Sequence, residues 1–137
     1  MSIFETSCTG WAGRMLSILR IVAGLLFVLS GTTILFGYPP PPAQMPPLVL
    51  LSEMGIGGIL QTFGGAAILL GLFTRPVAFV LAGEMAVAYF QFHFPSSFFP
   101  SMNGGIPAIL FCFIFLFMTA AGAGPWSLDA VIARRRP

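Results

Sequence analysis

The chain has 137 residues, of which 57% are hydrophobic, 14% aromatic and only 7% charged, against about 25% charged in an ordinary soluble domain. Six basic and four acidic side chains cannot supply every helix of a fold this size with a polar face. A water-soluble globular enzyme, a nucleic-acid binder and a disordered segment are therefore excluded. A mean hydropathy of +0.95 describes a membrane protein of one domain.

Four apolar stretches follow in chain order, cut out by their punctuation. The first covers about 14–36 and stops at the proline cluster Pro39–Pro42. The second covers about 48–73, after Pro46-Pro47. The third, about 76–94, begins at Pro76, a residue suited to a helix's first turn. The fourth, about 104–123, ends at Gly122-Ala123-Gly124-Pro125. Stretches of this length suit a hydrocarbon core of about 30 Å. They lack the alternation of barrel strands, so helices are predicted. The expected fold is all-α: a membrane-spanning antiparallel four-helix bundle with a short interfacial tail over 125–137. The first stretch is too long for a signal peptide and has no small-residue cleavage site after it, so it is expected to be retained.

Arginine placement predicts the orientation. Arg14 and Arg20 flank the start of the first span, Arg75 sits between the second and third, and Arg134–Arg136 close the chain. The two other connections contain no Lys or Arg. All six cations thus fall on one side, which the positive-inside rule assigns to the cytoplasm, with both termini. Trp126-Ser127-Leu128-Asp129 reads as an interfacial cap and anchor, with Ser127 or Asp129 capping a short helix and the arginines meeting anionic lipid.

Gly24 and Gly31 on the first span, and Gly57, Gly64 and Gly71 on the second, recur every seven residues. Such stripes are predicted to be helix–helix contacts, because close backbone approach supplies packing energy within lipid. The phenylalanines around Phe111–Phe117 read as core filler or lipid-facing surface. Cys8 and Cys112 are not expected to pair, and without a CxxC or a Cys/His cluster no metal centre is expected.

Ionisable and amide groups inside spans are the candidates for binding or proton carrying. Glu84 lies about 12 Å beyond Pro76 by helical rise, close to the bilayer centre, and Gln91 follows on the same face. Arg20 either snorkels or reaches inward, where it is expected to meet Glu84 if the first and third spans face each other. Glu53 is placed about 8 Å into the second span, as an acid facing the helix dipole or as a functional group. Gln61, near mid-span, is expected to bond a neighbouring helix. His93, near the outer surface, reads as interfacial rather than as a metal ligand. Asn103 completes the set.

Several ordered motifs resemble the DoxX family. Leu19-Arg20-Ile21 with Gly24, then Phe36-Gly37 and a proline, open the match. Gly71-Leu72-Phe73-Thr74-Arg75-Pro76 resembles that family's cytoplasmic turn. Met85-Ala86-Val87-Ala88-Tyr89-Phe90, His93, Pro95, Pro100 and Asn103-Gly104-Gly105 follow in order. Cys112–Leu116 and Gly124-Pro125-Trp126-Ser127-Leu128-Asp129 close it. The resemblance spans roughly 16–130 and implies a multi-pass protein of the bacterial inner membrane, a four-helix bundle, and association with quinone or sulfur redox chemistry. Many relatives carry a lysine where this chain has Ile34 and a glutamate where it has Ile106. We read these as a charge pair in relatives, lost here on both sides together.

The function expected first is a component of a membrane redox system, dependent on quinone or on a membrane or peripheral redox partner. The chain has no haem ligand pair, dithiol or dinucleotide loop of its own, and no cofactor can be read from it. The alternatives are a non-catalytic accessory or assembly subunit of a larger membrane complex, and a small proton-coupled transporter. Four helices make a narrow pathway, so a transporter would need to form a homo-oligomer.

Overall fold

The computed structural model describes residues 3–137, with side chains described from residue 10 onward. The described residues are helical with no strand. Helix α1 runs Ile3–Phe36, about three turns earlier than the apolar stretch, because no breaker precedes Pro39. The expectation for Cys8 lies outside the described side chains; Cys112 is a free thiol. A second rod joins α2 (Glu53–Ile59), a π turn (Leu60–Gly64) and α3 (Gly65–Leu70). Helix α4 (Thr74–Ala88) continues through a second π turn (Tyr89–His93) and a short 3-10 turn (Phe94–Ser96). After α5 (Pro100–Asn103) come α6 (Ile106–Ala121) and α7 (Leu128–Arg135).

Among the described residues three helices are long and apolar enough to cross a membrane: Gly10–Phe36, Glu53–Leu70 and Thr74–Ser96. The second starts five residues later than its apolar stretch. Ser52 stops the chain there as an N-cap, its hydroxyl accepting from Gly55 N at 3.1 Å. Glu53 is therefore the first residue of its helix and lies exposed at its end, not 8 Å within it. The fourth stretch forms only the 16 residues of α6, about 24 Å of rise. Gly104 (φ 71°) and Gly122 (φ 87°) turn the chain at its two ends, in backbone conformations that disfavour a side chain.

The most extensive pairings are α1 with the second rod and α4 with α6. The first is a glycine contact between antiparallel helices. A methyl group added at Gly24 would sit 2.8 Å from Gly65 O, and one added at Gly31 would sit 2.8 Å from Gly58 O. The partners of α1 are thus Gly58 and Gly65, each one residue beyond the stripe read from spacing. Gly64 faces the side chain of Leu81 on α4, and Gly71 (φ 68°) ends α3 as its C-cap. The paired glycines Gly57-Gly58 and Gly64-Gly65 put one hydrogen on each side of the rod, so α1 and α4 can both approach it.

Phe27 joins the two pairs. Its ring meets Phe111 and Phe115 of α6 edge-on, with centroids 4.9 and 4.7 Å apart. Ile68, Leu81, Phe115 and Met118 are fully buried around it, while Phe113 and Phe117 face outward. Ile34 packs on Gly58, and Ile106 is exposed at the start of α6.

Candidate functional site

Two polar assemblies stand out, one at each level of the molecule. The first lies at the end that carries Arg20, Arg75 and α7. The Arg20 side chain is 1% exposed. Its Nε donates to Ala123 O at 2.9 Å, Nη1 to Ile68 O at 2.7 Å and Leu69 O at 2.5 Å, and Nη2 to Trp126 O at 2.5 Å. Two of these acceptors are last-turn carbonyls of α3: Ile68 O also accepts from Gly71 N at 3.0 Å, and Leu69 O lies past the last helical N–H. Arg75 does the same for α6, donating to Thr119 O and Ala120 O. Asp129 closes the other polarity: its carboxylate accepts from Phe73 N and Thr74 N, both at 2.9 Å, capping α4 where the helix dipole favours negative charge.

The segment read as an interfacial anchor is therefore a keystone between helices. Ser127 does cap α7, accepting from Ala130 N at 3.1 Å, but Asp129 caps α4. A depression of about 410 Å³ lies beside Thr74, Arg75 and Asp129; its two charged groups are already committed to the helix ends.

The second assembly lies deep between the rods. Ser30 Oγ on α1 donates to Gln61 Oε1 at 2.6 Å, and Gln61 Nε2 donates to Glu84 Oε1 at 2.7 Å. One hydrogen-bond chain thus crosses three helices. Gln61 does bond neighbouring helices, and it does so from the π turn, a local distortion frequent at functional sites. The other carboxyl oxygen, Glu84 Oε2, is buried with no hydrogen-bond partner.

Glu84 lines a groove of about 310 Å³ between the second rod and α4, with Glu53, Gly57, Leu60, Val80 and Gln91. Gly57 makes the room: a methyl group there would meet only Glu84 Oε1, at 3.2 Å. At the proline-loop end of the groove, Gln91 Nε2 donates to Glu53 Oε1 at 3.1 Å. Towards the arginine end the cleft continues as a second hollow of about 260 Å³ lined by Leu60, Gly64, Pro76, Val77, Val80 and Leu81. That half offers no polar side chain.

Of the candidates read from sequence, Glu84, Gln91 and Glu53 line one cleft, and Gln61 bonds Glu84 behind it. Arg20 does not join them. It was expected to reach Glu84, but α1 packs on the second rod while α4 pairs with α6, and all its bonds lie at the opposite end. The end carbonyls of α3 and those of the chain before α7 hold it there. His93 and Asn103 also stand apart. His93 Nδ1 lies 3.0 Å from Asn103 O. Asn103 is buried, donating to Ser97 O at 2.9 Å and accepting from Gly105 N at 2.7 Å, so it shapes the turn into α6. Among the described residues no group of three or more His, Cys, Asp or Glu could hold a metal ion.

Sequence reasoning missed Ser30 and the part played by Gly57. Ser30, Thr32 and Thr33 are three hydroxyls at similar depth; Thr32 and Thr33 bond the backbone oxygens of Leu29 and Pro39, and only the fold singles out Ser30.

Comparison with known proteins agrees with these motifs. Residues 15–94 match the DoxX family model. The chain belongs to the DoxX family. It is similar to an uncharacterized protein of Haemophilus influenzae, 38% identical over 117 residues that make up 83% of this chain and 87% of the relative. No solved structure matches. Three long apolar helices and this membership make it a membrane protein of the DoxX family. In this DoxX chain the matched residues carry Arg20 with its acceptors Ile68 and Leu69, and every polar side chain of the Glu84 cleft; its other two acceptors, Ala123 and Trp126, lie beyond the match.

Proposed function

We propose that this protein is a multi-pass component of a redox system in the bacterial inner membrane, binding a polyprenyl quinone in the cleft between its second rod and α4. The observation that carries this reading is the Glu84 carboxyl, with one buried, partnerless oxygen, beside a groove that is polar in one half and apolar in the other. A buried polar atom without a partner is costly, so a group that can satisfy it is favoured there. A quinone ring carries carbonyl oxygens that accept from a carboxylic acid, and hydroxyls in its reduced form that donate to a carboxylate. Gln91 and Glu53 offer further hydrogen bonds at the loop end. Leu60, Gly64, Pro76 and Val77 suit a prenyl tail. When bound, the quinone supplies two-electron, two-proton chemistry; the chain itself orients the ring and holds a proton at Glu84.

Electrons come through a partner redox protein in this reading, since the described residues otherwise spend their polar groups on helix ends and turns. That same economy favours a second reading, a non-catalytic accessory subunit of a larger membrane complex. Quinone content separates the two. Protein purified in mild detergent should yield quinone on solvent extraction, and Gly57→Leu, which fills the polar half of the groove, should lose it. A quinone-free wild-type protein across several detergents would leave the accessory role.

The proposed topology is a four-helix bundle with α6 as its fourth member, supported by its long contact with α4 and the Phe27 ring contacts. Both termini lie in the cytoplasm by the positive-inside rule. Reporter fusions at Gln44 and Ser97 should read outside, and fusions at Thr74 and the C-terminus inside. One inverted pair would sink the orientation.

A further inference from the structure

We infer that Glu84 exchanges its proton with one aqueous phase only, the one bathing the proline-rich loops, through the groove that Glu53 and Gln91 line. The inference rests on the groove of the proposed function but not on what occupies it. On the loop side, Glu53 is exposed at the first residue of α2 and bonded to Gln91. Gly57 follows one turn on, about 6 Å of rise, and its bare hydrogen faces the Glu84 carboxyl. Two carboxyl groups and an amide therefore border one hollow with room for several waters. On the arginine side the route is closed. Leu81, Ile68, Ala78 and Met118 are 0–1% exposed, and the continuation of the cleft has only apolar side chains. Water has no partners there, so it does not fill that half.

The dead end is built in as well. Gln61, itself held by the Ser30 hydroxyl, donates to Glu84 Oε1 from the far side, and neither titrates. The titratable groups on the elements around Glu84 are Glu53 on α2, Tyr89 and His93 on the continuation of α4, and Cys112 on α6, with Arg75 on α4 and Arg20 and Arg14 on α1 at the opposite end, where Arg75 and Arg20 bond helix-end carbonyls. Among the described residues, the bonded partner of His93 is Asn103, and no cation lines the groove. A carboxylate at this depth is expensive, and the one outlet for its proton leads to the loops.

An apolar carbodiimide reads this directly, because it reaches Glu84 through lipid and reacts with the acid form. The carboxyl oxygen adds to the central carbon of the reagent, the acid proton goes to a nitrogen, and the adduct rearranges to a stable acylurea. The protein is reconstituted in liposomes, and each orientation is scored by trypsin access to Arg134–Arg136. The pH inside and outside is then set independently. Glu84 labelling, read by mass on the peptide, should fall by about tenfold per unit rise in loop-side pH above the titration midpoint, and should ignore the arginine-side pH. Glu84→Gln should abolish the adduct. Gly57→Leu should slow the response to a loop-side pH jump severalfold. Labelling that follows the arginine side, follows both sides equally, or fails at every pH would overturn the inference. Loss of quinone binding with loop-side labelling intact would overturn only the proposed occupant.

Discussion

An Arg20→Met protein is expected to unfold far more readily than the wild type, by about 3 kcal/mol or more, since each buried acceptor left without a donor costs about 1–3 kcal/mol. Four carbonyls lose the guanidinium at once: Leu69 at the end of α3, Ala123 after α6, Trp126 before α7, and Ile68, which keeps only its bond from Gly71 N. Methionine keeps much of the length and apolar stem, so the change isolates the guanidinium. Arg20→Lys should recover only part of the loss. An ammonium is a point donor, whereas the guanidinium is a planar fork that serves separate segments simultaneously. Unfolding in mixed detergent micelles, followed by far-ultraviolet circular dichroism, measures the order wild type, lysine, methionine. Equal midpoints for all three would mean that water already satisfies these carbonyls and that the keystone is decorative.

Closing the glycine contact between α1 and the second rod is the second large effect. A methyl added at Gly24 would lie 2.5 Å from Leu69 N, and one at Gly65 would lie 2.8 Å from Val28 N. Both obstacles are backbone and cannot swing aside, so the helices must separate. Gly24→Ala and Gly65→Ala should each lower stability by about 1–3 kcal/mol, the usual range for overpacking, and leucine at either site should prevent the contact altogether. The double alanine variant should lose less than the sum, because the first methyl already holds the backbones apart. Gly64→Leu should be milder, as its neighbour is the movable end of Leu81. Gly83 has nothing within 4 Å, so Gly83→Ala should go the other way, gaining up to about 1 kcal/mol of helix propensity. Additive losses at Gly24 and Gly65, or a loss at Gly83 as large as theirs, would contradict the packing.

The spans were legible because lipid removes most alternatives. A backbone with no water to bond must satisfy itself, and runs of apolar residues bounded by Pro-rich segments leave helices as the one solution. Gln61 and Glu84 were legible for a related reason: a polar group inside an apolar run stands out against its surroundings. Arg20 stood out equally, yet its neighbours in space could not be read. Whether a long side chain reaches inward or back toward free carbonyls depends on which helix end packs beside it, and α1 could have paired with α4 as plausibly as with α3. The glycine spacing had the same gap. Gly57-Gly58 and Gly64-Gly65 offer two faces with one period, so the sequence marks a close approach without saying which glycine meets which helix.

Asp129 shows the limit most plainly. Three residues after a helix break it has every mark of a local cap, and its partners are instead the amides of Phe73 and Thr74, more than fifty residues earlier. The motifs around Arg20, around Thr74-Arg75 and around Trp126–Asp129 were each recognisable separately along the chain. That they are one structure follows from packing three helix ends at one level, where unpaired amides and carbonyls of different helices come within reach of the same few charged side chains. Local pattern carries hydrogen-bonding capacity and the apolar runs that become helices. Pairing between distant segments is set by which backbones can approach, and that is a property of the folded bundle.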